Sequence, residues 1–185
     1  SLTQVPGTTW STVSAGRDQT LITKTDGTLW VFGDNTNGVL GVNSLVQYSS
    51  PVQVPGTTWA TSGAKKLGVN PGAVHAIKSD GTYWVWGFNN NGVLGLNQPE
   101  SSRYSSPVQI PGTTWDKLTF KTYAALATKT DGTLWSWGYN GTMGLLGQNT
   151  TGAPGTRSSP VQIPGTNWSS VSNTYFAMAA TKTDG

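Results

Sequence analysis

Apolar and polar residues alternate over short segments along the chain. In the first part of the sequence these segments are Trp10–Ser14, Thr20–Thr25, Thr28–Phe32 and Pro51–Val54. They are rich in β-branched and aromatic residues, which favour strands, and no segment shows a sustained helical period. The pattern predicts four short strands. The proline that opens the fourth segment indicates an outer edge strand.

The second and third predicted strands are joined by Asp26-Gly27. Asp-Gly between two β-rich segments is a strong hairpin signal, because glycine tolerates the positive φ that a primed turn needs. We therefore expect a primed turn at this point.

The same pattern recurs with a period near 50 residues. The Asp-Gly turns are separated by 54, 51 and 53 residues and begin at Asp26, Asp80, Asp131 and Asp184. Such a period indicates propeller blades of several short strands. The predicted fold class is therefore all-β: a β-propeller of four-stranded antiparallel blades, with about three complete blades plus partial ones at both ends.

The repeat also predicts the organisation of the chain. Residues 1–185 form a single propeller segment, with repeats at approximately 6–54, 55–110, 111–163 and 164–185, the last incomplete. Ser1–Pro6 aligns with a fourth strand, and Gly185 is the second residue of a hairpin turn. We therefore expect a fragment of a longer chain, with ring closure between two chains as the alternative.

The aromatic residues of the third strand recur in each repeat. They are Trp30 and Phe32 in the first repeat, Trp84 and Trp86 in the second, and Trp135 and Trp137 in the third. Two-residue alternation places each pair on one face of its strand. We expect them to form the core between adjacent blades rather than to stack on a ligand.

Composition and charge exclude several function classes. Charged residues make up 10%, the net charge is +3 and the chain has no cysteine. An even, weak charge does not match a nucleic-acid footprint, and no apolar stretch is long enough to span a bilayer. Neither disulfides nor thiolate metal sites can form. The predictions are no nucleic-acid partner and no membrane insertion.

Catalytic and metal-binding sets are not found. Four of the eight acidic residues begin the Asp-Gly turns, and His75 is the only histidine. His75 stands where the other repeats have Leu21, Leu126 and Ala179, so we expect a buried or half-buried histidine rather than a metal ligand. No phosphate-binding glycine loop precedes a helix. The chain is predicted not to be an enzyme and to use no cofactor.

One combined motif resembles a known family. Thr25–Gly41 reads Thr-Asp-Gly-Thr-Leu-Trp-Val-Phe-Gly-Asp-Asn-Thr-Asn-Gly-Val-Leu-Gly and is followed by Ser-Pro-Val-Gln at Ser50. Variants recur at Ser79–Gly95 and Thr130–Gly147. The run resembles the regulator-of-chromosome-condensation repeat, and the resemblance covers essentially the whole chain. It implies a seven-bladed β-propeller.

The resemblance implies a fold but several functions. Members of the family act as guanine-nucleotide exchange factors, chromatin binders, ultraviolet sensors, ubiquitin-ligase modules, enzyme inhibitors and bacterial or phage surface proteins. The Gly-Gly-x-His element typical of eukaryotic repeats is missing here, and so are a wedge-like insertion and a basic tail. These departures weaken the exchange-factor and chromatin interpretations. The close identity among the repeats suggests recent duplication, as seen in bacterial and phage members of the family.

Partner-binding residues are expected in the connections that differ among repeats. The Pro-Gly-Thr-Thr and Asp-Gly connections are nearly constant, whereas the first-to-second and third-to-fourth connections vary in length and content. Variable loops on a repeated frame usually carry specificity, and Tyr and Arg are enriched at binding hot spots. The candidates are Arg17, Tyr48, Lys65, Lys66, Arg103, Tyr104, Tyr123, Arg157 and Tyr175.

The leading hypothesis is a non-enzymatic binding or structural module of an extracellular surface or virion protein, such as a phage tail or capsid-associated protein. Its variable loops would serve adhesion or assembly, with a protein or a surface glycan as partner, as part of a larger assembly. The alternatives are an intracellular regulatory propeller, such as an exchange factor or chromatin binder, and an enzyme-inhibitor propeller.

Overall fold

The chain folds into antiparallel sheets of sequential strands. The structure is a computed structural model that describes residues 4–62, 66–141, 144–149, 155–174 and 177–184. Within these ranges it contains three four-stranded sheets and one two-stranded hairpin. Each strand pairs with its neighbour in sequence, which is the arrangement of a propeller blade. The all-β prediction is confirmed.

Each four-stranded sheet is called a blade below. The first blade comprises β1 (Trp10–Ala15), β2 (Gln19–Lys24), β3 (Leu29–Gly33) and β4 (Tyr48–Gln53). The second comprises β5 (Leu67–Val69), β6 (Ala73–Ile77), β7 (Tyr83–Phe88) and β8 (Arg103–Ile110), with a 3-10 turn at Asn90–Gly92. The third comprises β9 (Trp115–Phe120), β10 (Ala124–Lys129), β11 (Leu134–Tyr139) and β12 (Thr156–Ile163). The hairpin comprises β13 (Trp168–Asn173) and β14 (Met178–Lys182).

The predicted strands of the first repeat all exist. The first three match β1–β3 within one residue at each end, and β4 begins three residues before the predicted Pro51. Pro51 lies in the last strand of its sheet, at the edge where a missing N–H costs no ladder bond. Of the predicted partial strand Ser1–Pro6, residues 1–3 lie outside the described residues.

The turn between β2 and β3 corrects the sequence prediction. The N–H of Gly27 donates to the carbonyl of Lys24 at 3.0 Å, and the N–H of Lys24 donates to the carbonyl of Thr28 at 2.9 Å. Gly27 has φ +82°, whereas Asp26 does not have a positive φ. This is a three-residue connection with a type I turn and a glycine bulge. The predicted primed turn was wrong.

Adjacent blades pack through the tryptophans of their third strands. Trp86 is fully buried, and its Nε1 donates to the carbonyl of Val39 in the first blade at 2.8 Å. Trp137 repeats this contact with Val93 of the second blade, also at 2.8 Å. The predicted core role of these two residues is confirmed. The other four predicted core residues, Trp30, Phe32, Trp84 and Trp135, are only half-buried.

The second blade contains an insertion in its first strand. Trp59 bridges to Lys78, and the carbonyl of Lys66 accepts a hydrogen bond from the N–H of Ile77 at 2.8 Å. Six residues, 60–65, therefore lie between Trp59 and Lys66. In the first blade a single bulge residue, Ser11, lies between the corresponding positions Trp10 and Thr12. Sequence reasoning assigned part of this insertion to the connection that follows the strand.

His75 lies in the core, as predicted. It is 5% exposed and packs against Phe120 of the third blade, with ring centroids 4.7 Å apart. A Cβ on Gly68, its cross-strand partner, would come within 2.4 Å of the imidazole. The glycine therefore makes room for the ring. Burial lowers the pKa of His75 from 6.5 to about 3, so the ring is neutral at physiological pH.

Candidate functional site

Every blade has two chemically different ends. The short-loop end carries the Asp-Gly turn and the Pro-Gly-Thr-Thr (in the last repeat Pro-Gly-Thr-Asn) connection to the next blade. The long-loop end carries the connections between the first and second strands and between the third and fourth strands. At the short-loop end, the carbonyl of Gly27 accepts a hydrogen bond from the N–H of Trp59 at 2.9 Å. This contact joins two successive blades.

The short-loop end is built in the same way in each complete blade. In the first, Asp26 Oδ1 accepts hydrogen bonds from the Thr28 N–H at 2.9 Å and the Thr28 hydroxyl at 2.7 Å. The hydroxyl in turn accepts from Trp30 Nε1 at 2.8 Å. The same links recur around Asp80 and Asp131. The threonine hydroxyl is the main cause that lowers the pKa of each aspartate.

A lysine covers the tryptophans at each short-loop end. Lys78 Nζ lies 5.0 Å from the ring centroid of Trp59 and 4.4 Å from that of Trp84. Lys24, Lys129 and Lys182 make the corresponding contacts in the other repeats. An ammonium group over an indole face is favourable. These lysines therefore have a structural role in each repeat.

The connections between first and second strands are equal in length. The N–H of Gly16 donates to the carbonyl of Gln19 at 2.9 Å, and the N–H of Asn70 donates to that of Ala73 at 2.9 Å. In the same way, the N–H of Lys121 donates to the carbonyl of Ala124, and the N–H of Thr174 donates to that of Ala177. The prediction that these connections vary in length was wrong, because the insertion of the second blade lies within the strand. They vary only in residue type.

A buried asparagine holds each long connection between third and fourth strands. In the first blade, Asn35 Nδ2 donates to the carbonyls of Ser44 at 2.8 Å and Val46 at 2.9 Å. Its Oδ1 accepts from the N–H of Leu40 at 2.9 Å. Asn89 and Asn140 accept the equivalent leucine N–H. The connections therefore start from a fixed base and differ beyond it.

In the first blade the structure brings Arg17 and Tyr48 together. Both line an open depression of about 890 Å³, together with Asp18, Asp34, Thr36 and Gln47. Asp34 accepts hydrogen bonds from the Thr36 hydroxyl at 2.6 Å and Gln47 Nε2 at 2.9 Å. The Thr36 hydroxyl is the main cause that lowers the pKa of Asp34. The lining of the depression is therefore polar and includes the carboxylate of Asp34.

The equivalent place on the second blade is covered by a loop of the first blade. The N–H of Asn43 donates to the carbonyl of Ser105 at 2.7 Å, and a Cβ on Gly38 would come within 2.9 Å of Ser105 Cα. Ser49, the counterpart of Ser105, lines the depression. The depression therefore corresponds in position to the place that the first blade's loop covers on the second blade.

In the second blade, Arg103 lies over an aromatic ring. Its guanidinium carbon is 4.4 Å from the ring centroid of Phe88, and its Nε donates to Asn37 Oδ1 at 3.4 Å. Tyr104, next to it, is half-buried and packs against the cores on both sides of the blade. Arg103 is thus presented to solvent, whereas Tyr104 mainly supports the packing of the blades.

In the third blade, Tyr123 pairs with a residue that sequence reasoning missed. Its ring centroid is 6.0 Å from that of Tyr139, which is 36% exposed. Tyr139 occupies the position of Asp34 and Phe88, directly after the glycine of the third strand. The difference among these three residues is visible in the sequence and could have identified Tyr139 as a candidate. Arg157 lies at the start of β12, opposite Gly138.

The remaining candidates do not join this surface. Lys66 lies at the insertion in the second blade, near the short-loop end. Its Nζ is 3.8 Å from Asp116 of the third blade, which also pairs with Lys117 at 3.0 Å. Its predicted place among the long-loop residues was wrong. Lys65 and Tyr175 lie outside the described residues.

The described residues contain no group of three or more His, Cys, Asp or Glu side chains that could hold a metal ion. None of the helical segments within the described ranges has the length and apolarity needed to cross a membrane. What the long-loop end offers chemically is a set of arginines, aromatic rings and amides. These groups suit non-covalent recognition.

Comparisons with known proteins agree with this architecture. The family model of the regulator of chromosome condensation (RCC1) repeat matches residues 26–63 and 80–117, and a second model of this repeat matches residues 10–39. Yeast RCC1 (Prp20), in a complex with Kap60, is similar with a TM-score of 0.75 and 16% identity over 98% of this chain and 44% of that chain.

Two further structures are similar in fold. Prp20p from Saccharomyces cerevisiae, described with its binding to Gsp1p and histones, gives a TM-score of 0.73 at 16% identity over 98% of this chain and 45% of that one. Human WBSCR16 is similar with a TM-score of 0.66 and 19% identity over 88% of this chain and 39% of that chain. The chain spans less than half the length of these proteins. The matched repeat models and the fold likeness support the RCC1-repeat β-propeller family for this chain.

Proposed function

We propose that this chain is a non-catalytic recognition module that binds its partner at the long-loop end of the blades. The observation that carries the proposal is the position after the third-strand glycine, which holds Asp34, Phe88 and Tyr139 in successive blades. At the short-loop end the same blades repeat one hydrogen-bonded set. Side-chain variation concentrated at one end of a repeated frame is typical of a binding surface.

Three of the sequence candidates form the centre of the proposed surface. Arg17 is exposed beside the depression of the first blade, Arg103 is exposed over Phe88, and Tyr123 packs with Tyr139. Tyr48, Tyr104 and Arg157 are half-buried and act mainly by supporting these groups. Tyrosine on a rigid frame supplies contact area at a small entropic cost, and arginine is enriched at binding hot spots.

The setting that we propose is an extracellular or virion surface, with a protein or a surface glycan as partner. Low charge and an abundance of Thr, Asn and Gly support it, as does the close identity among the repeats. A bacterial or phage origin agrees with the missing Gly-Gly-x-His element. In this setting the module would serve adhesion or assembly.

A second candidate is an intracellular regulatory propeller. The fold likeness to yeast RCC1 (Prp20) supports it, because that protein was solved bound to Kap60 and was described with its binding to Gsp1p and histones. These are protein partners of a propeller of the same repeat family.

The two candidates can be separated with purified probes. The 185-residue chain is tested on a glycan array with bacterial surface polysaccharides, on histone octamers, and for release of fluorescent GDP from a small GTPase. The leading proposal expects binding on the array, weakened at least about tenfold, or about 1.4 kcal/mol, in a triple variant Arg17→Ser, Arg103→Ser, Tyr139→Ser.

A matched control carries three changes at the short-loop end, Lys24→Ser, Lys78→Ser and Lys129→Ser, and should bind like the unchanged chain. Accelerated GDP release or tight histone binding would favour the intracellular candidate. Equal loss of array binding in both triple variants would overturn the assignment to the long-loop end.

A further inference from the structure

The loops of three successive blades enclose a pocket of about 220 Å³ at the long-loop end. Its lining is uncharged and comprises Asn37 of the first blade, residues 70–72, Phe88, Asn90 and Val93 of the second, and Thr122 of the third. The depression of the first blade differs, because Arg17, Asp18 and Asp34 line it. Taking a charge out of water without a counter-charge is costly, so the three-blade pocket favours an uncharged ligand.

The pocket lies where a contact between blades is missing. In the second blade, Asn91 Nδ2 donates to the carbonyl of Thr122 in the third blade at 3.0 Å. The repeat makes Asn37 the equivalent of Asn91, and Pro71 the equivalent of Thr122. Among the described residues, however, Asn37 Nδ2 has no hydrogen-bond partner, and its Oδ1 accepts from Arg103 Nε at 3.4 Å. The N–H groups of Asn37 are therefore available to a ligand.

Two further polar side chains of the lining are also available. The part of the chain that the structure describes supplies no hydrogen-bond partner for the Asn90 amide or the Thr122 hydroxyl. An amide and a hydroxyl each both donate and accept. Together with the Asn37 N–H groups, they place neutral donors and acceptors on three sides of the pocket, one from each blade.

The wall formed by the second blade is held in place by Asn70. This side chain is 7% exposed, and its Oδ1 accepts from the N–H groups of Gly72 at 2.9 Å and Ala73 at 2.8 Å. Its Nδ2 donates to the carbonyl of Lys121 at 3.4 Å, which links the turn to the third blade. The pocket is therefore preformed, as sites for small ligands usually are.

Carbon surface in the pocket comes from Pro71, Phe88 and Val93. Phe88 is half-buried, and the guanidinium carbon of Arg103 lies 4.4 Å from its ring centroid. The first blade has the carboxylate of Asp34 at the position of Phe88. The pocket thus joins an apolar surface to neutral hydrogen-bonding groups, a combination that the depression of the first blade lacks.

The size and the chemistry of the pocket identify the class of ligand. Its volume is below the roughly 300–1,000 Å³ of sites for drug-sized ligands, which limits the occupant to about one six-membered ring. A sugar ring carries several hydroxyls that each donate and accept, whereas a peptide unit offers one donor and one acceptor. Groups on three sides of one small pocket therefore match a sugar better than a peptide.

We propose that the three-blade pocket binds one neutral sugar ring, the terminal unit of a glycan. The hydroxyls of the sugar bond to Asn37, Asn90 and Thr122, and its C–H surface packs against Phe88 and Pro71. This inference rests on the proposed function, because it names the ligand class and one binding pocket for the long-loop end.

The test uses the whole chain and the methyl α- and β-glycosides of glucose, galactose and mannose, titrated with NMR detection of the asparagine side-chain amides. We expect saturable shifts of the Asn37 and Asn90 amide signals for at least one glycoside, with a dissociation constant in the millimolar range. N-acetylglycinamide is the peptide probe and should shift these signals less. No saturable shift with any of these glycosides, or a tighter binding of the peptide probe, would overturn the proposal.

A blocking variant tests the location. Gly72 does not have a positive φ, and a Cβ there would meet only Phe88 Cβ, at 3.9 Å. The backbone therefore accepts Gly72→Leu, and the added side chain occupies the pocket. This variant should abolish glycoside binding, and circular dichroism confirms its fold. Unchanged glycoside binding by folded Gly72→Leu would place the sugar elsewhere and contradict the proposal.

A double variant tests the hydrogen bonds. Asn90→Leu with Thr122→Val removes polar groups at similar volume and should weaken glycoside binding at least about tenfold. The matched control, Gln109→Leu with Thr113→Val, makes the same kind of change at exposed residues outside the lining and should bind like the unchanged chain. An equal affinity of the two double variants would overturn the assigned contacts.

The glycan array separates this inference from the proposed function. If the array binds Gly72→Leu as well as the unchanged chain, and only the triple variant at Arg17, Arg103 and Tyr139 loses binding, the sugar pocket is wrong and the long-loop surface stands. If the methyl glycosides bind at the pocket but both triple variants lose array binding equally, the pocket stands and the wider assignment to the long-loop end is wrong.

Discussion

The two ends of the blades follow different rules. At the short-loop end each blade repeats an Asp-Thr-Trp hydrogen-bonded chain beneath a lysine that lies over two indoles. At the long-loop end the turns between first and second strands and the buried asparagines recur, but the connections between third and fourth strands differ in length. The side chains there also differ from blade to blade. Constant side chains thus mark what each repeat needs to fold, and the variation is concentrated where the proposed recognition takes place.

The core of the second blade departs from this rule. The first and third blades have leucine where the second has His75 and Tyr83. The rings of His75 and Tyr83 lie 5.8 Å apart, and the described residues supply no hydrogen-bond partner for either imidazole nitrogen or for the tyrosine hydroxyl. Here the variation lies in the buried core, so its consequence should be on stability rather than on binding.

The largest expected effect is a pH dependence caused by His75. Its pKa is about 3 in the folded chain and about 6.5 when unfolded, so the unfolded chain binds the proton first. This contribution to stability is complete above pH 6.5 and is lost as the pH falls toward 3. Between pH 7 and 4.5 the unchanged chain should lose about 2 to 3 kcal/mol more than His75→Leu.

Urea unfolding of both chains at the two pH values measures this difference. Tyr83→Leu is the control, because burial raises the pKa of Tyr83 well above 10 and the group stays neutral in both states over this range. A His75→Leu chain with the same acid sensitivity as the unchanged one would show that other groups cause the loss.

The sequence predicted the parts of the fold that depend on the repeat. Alternation located the strands, and the third-strand aromatics located the core around Trp86 and Trp137. It did not predict the insertion after Trp59, because that tryptophan keeps its place in the repeat while the strand resumes at Leu67. Lys66 was consequently assigned to the wrong end. Contacts between blades, such as Arg103 with Asn37, need the packing itself and cannot be read from one repeat.

The next effect compares glycines at the two ends. Gly132, at a short-loop turn, has φ +78°, and its Cβ would lie 3.0 Å from the Asn167 nitrogen. Gly72, at a long-loop turn, does not have a positive φ, and its Cβ would meet Phe88 at an ordinary 3.9 Å. Gly132→Ala should cost about 2 kcal/mol, and Gly72→Ala less than about 0.5 kcal/mol.

Denaturant midpoints of the two variants, with unchanged m-values, measure these costs. Equal costs at the two positions would contradict the view that the Asp-Gly turn depends on a left-handed glycine and that the turn between first and second strands does not.

The smallest expected effect on stability concerns the residue that directly precedes the first tryptophan of each repeat at the short-loop end. Thr9, Thr58 and Thr114 have φ between 63° and 67°, and Asn167 has the same conformation in the last repeat. A β-branched residue is strained there, whereas asparagine tolerates the left-handed region. Thr114→Asn should therefore stabilise the chain by about 0.5 to 1 kcal/mol, and Asn167→Thr should destabilise the hairpin by a similar amount. Thermal unfolding of the pair measures both signs. If Thr114→Asn lowers the melting temperature, the threonine makes contacts that outweigh its backbone strain, and the short-loop end is optimised for that side chain rather than merely tolerant of it.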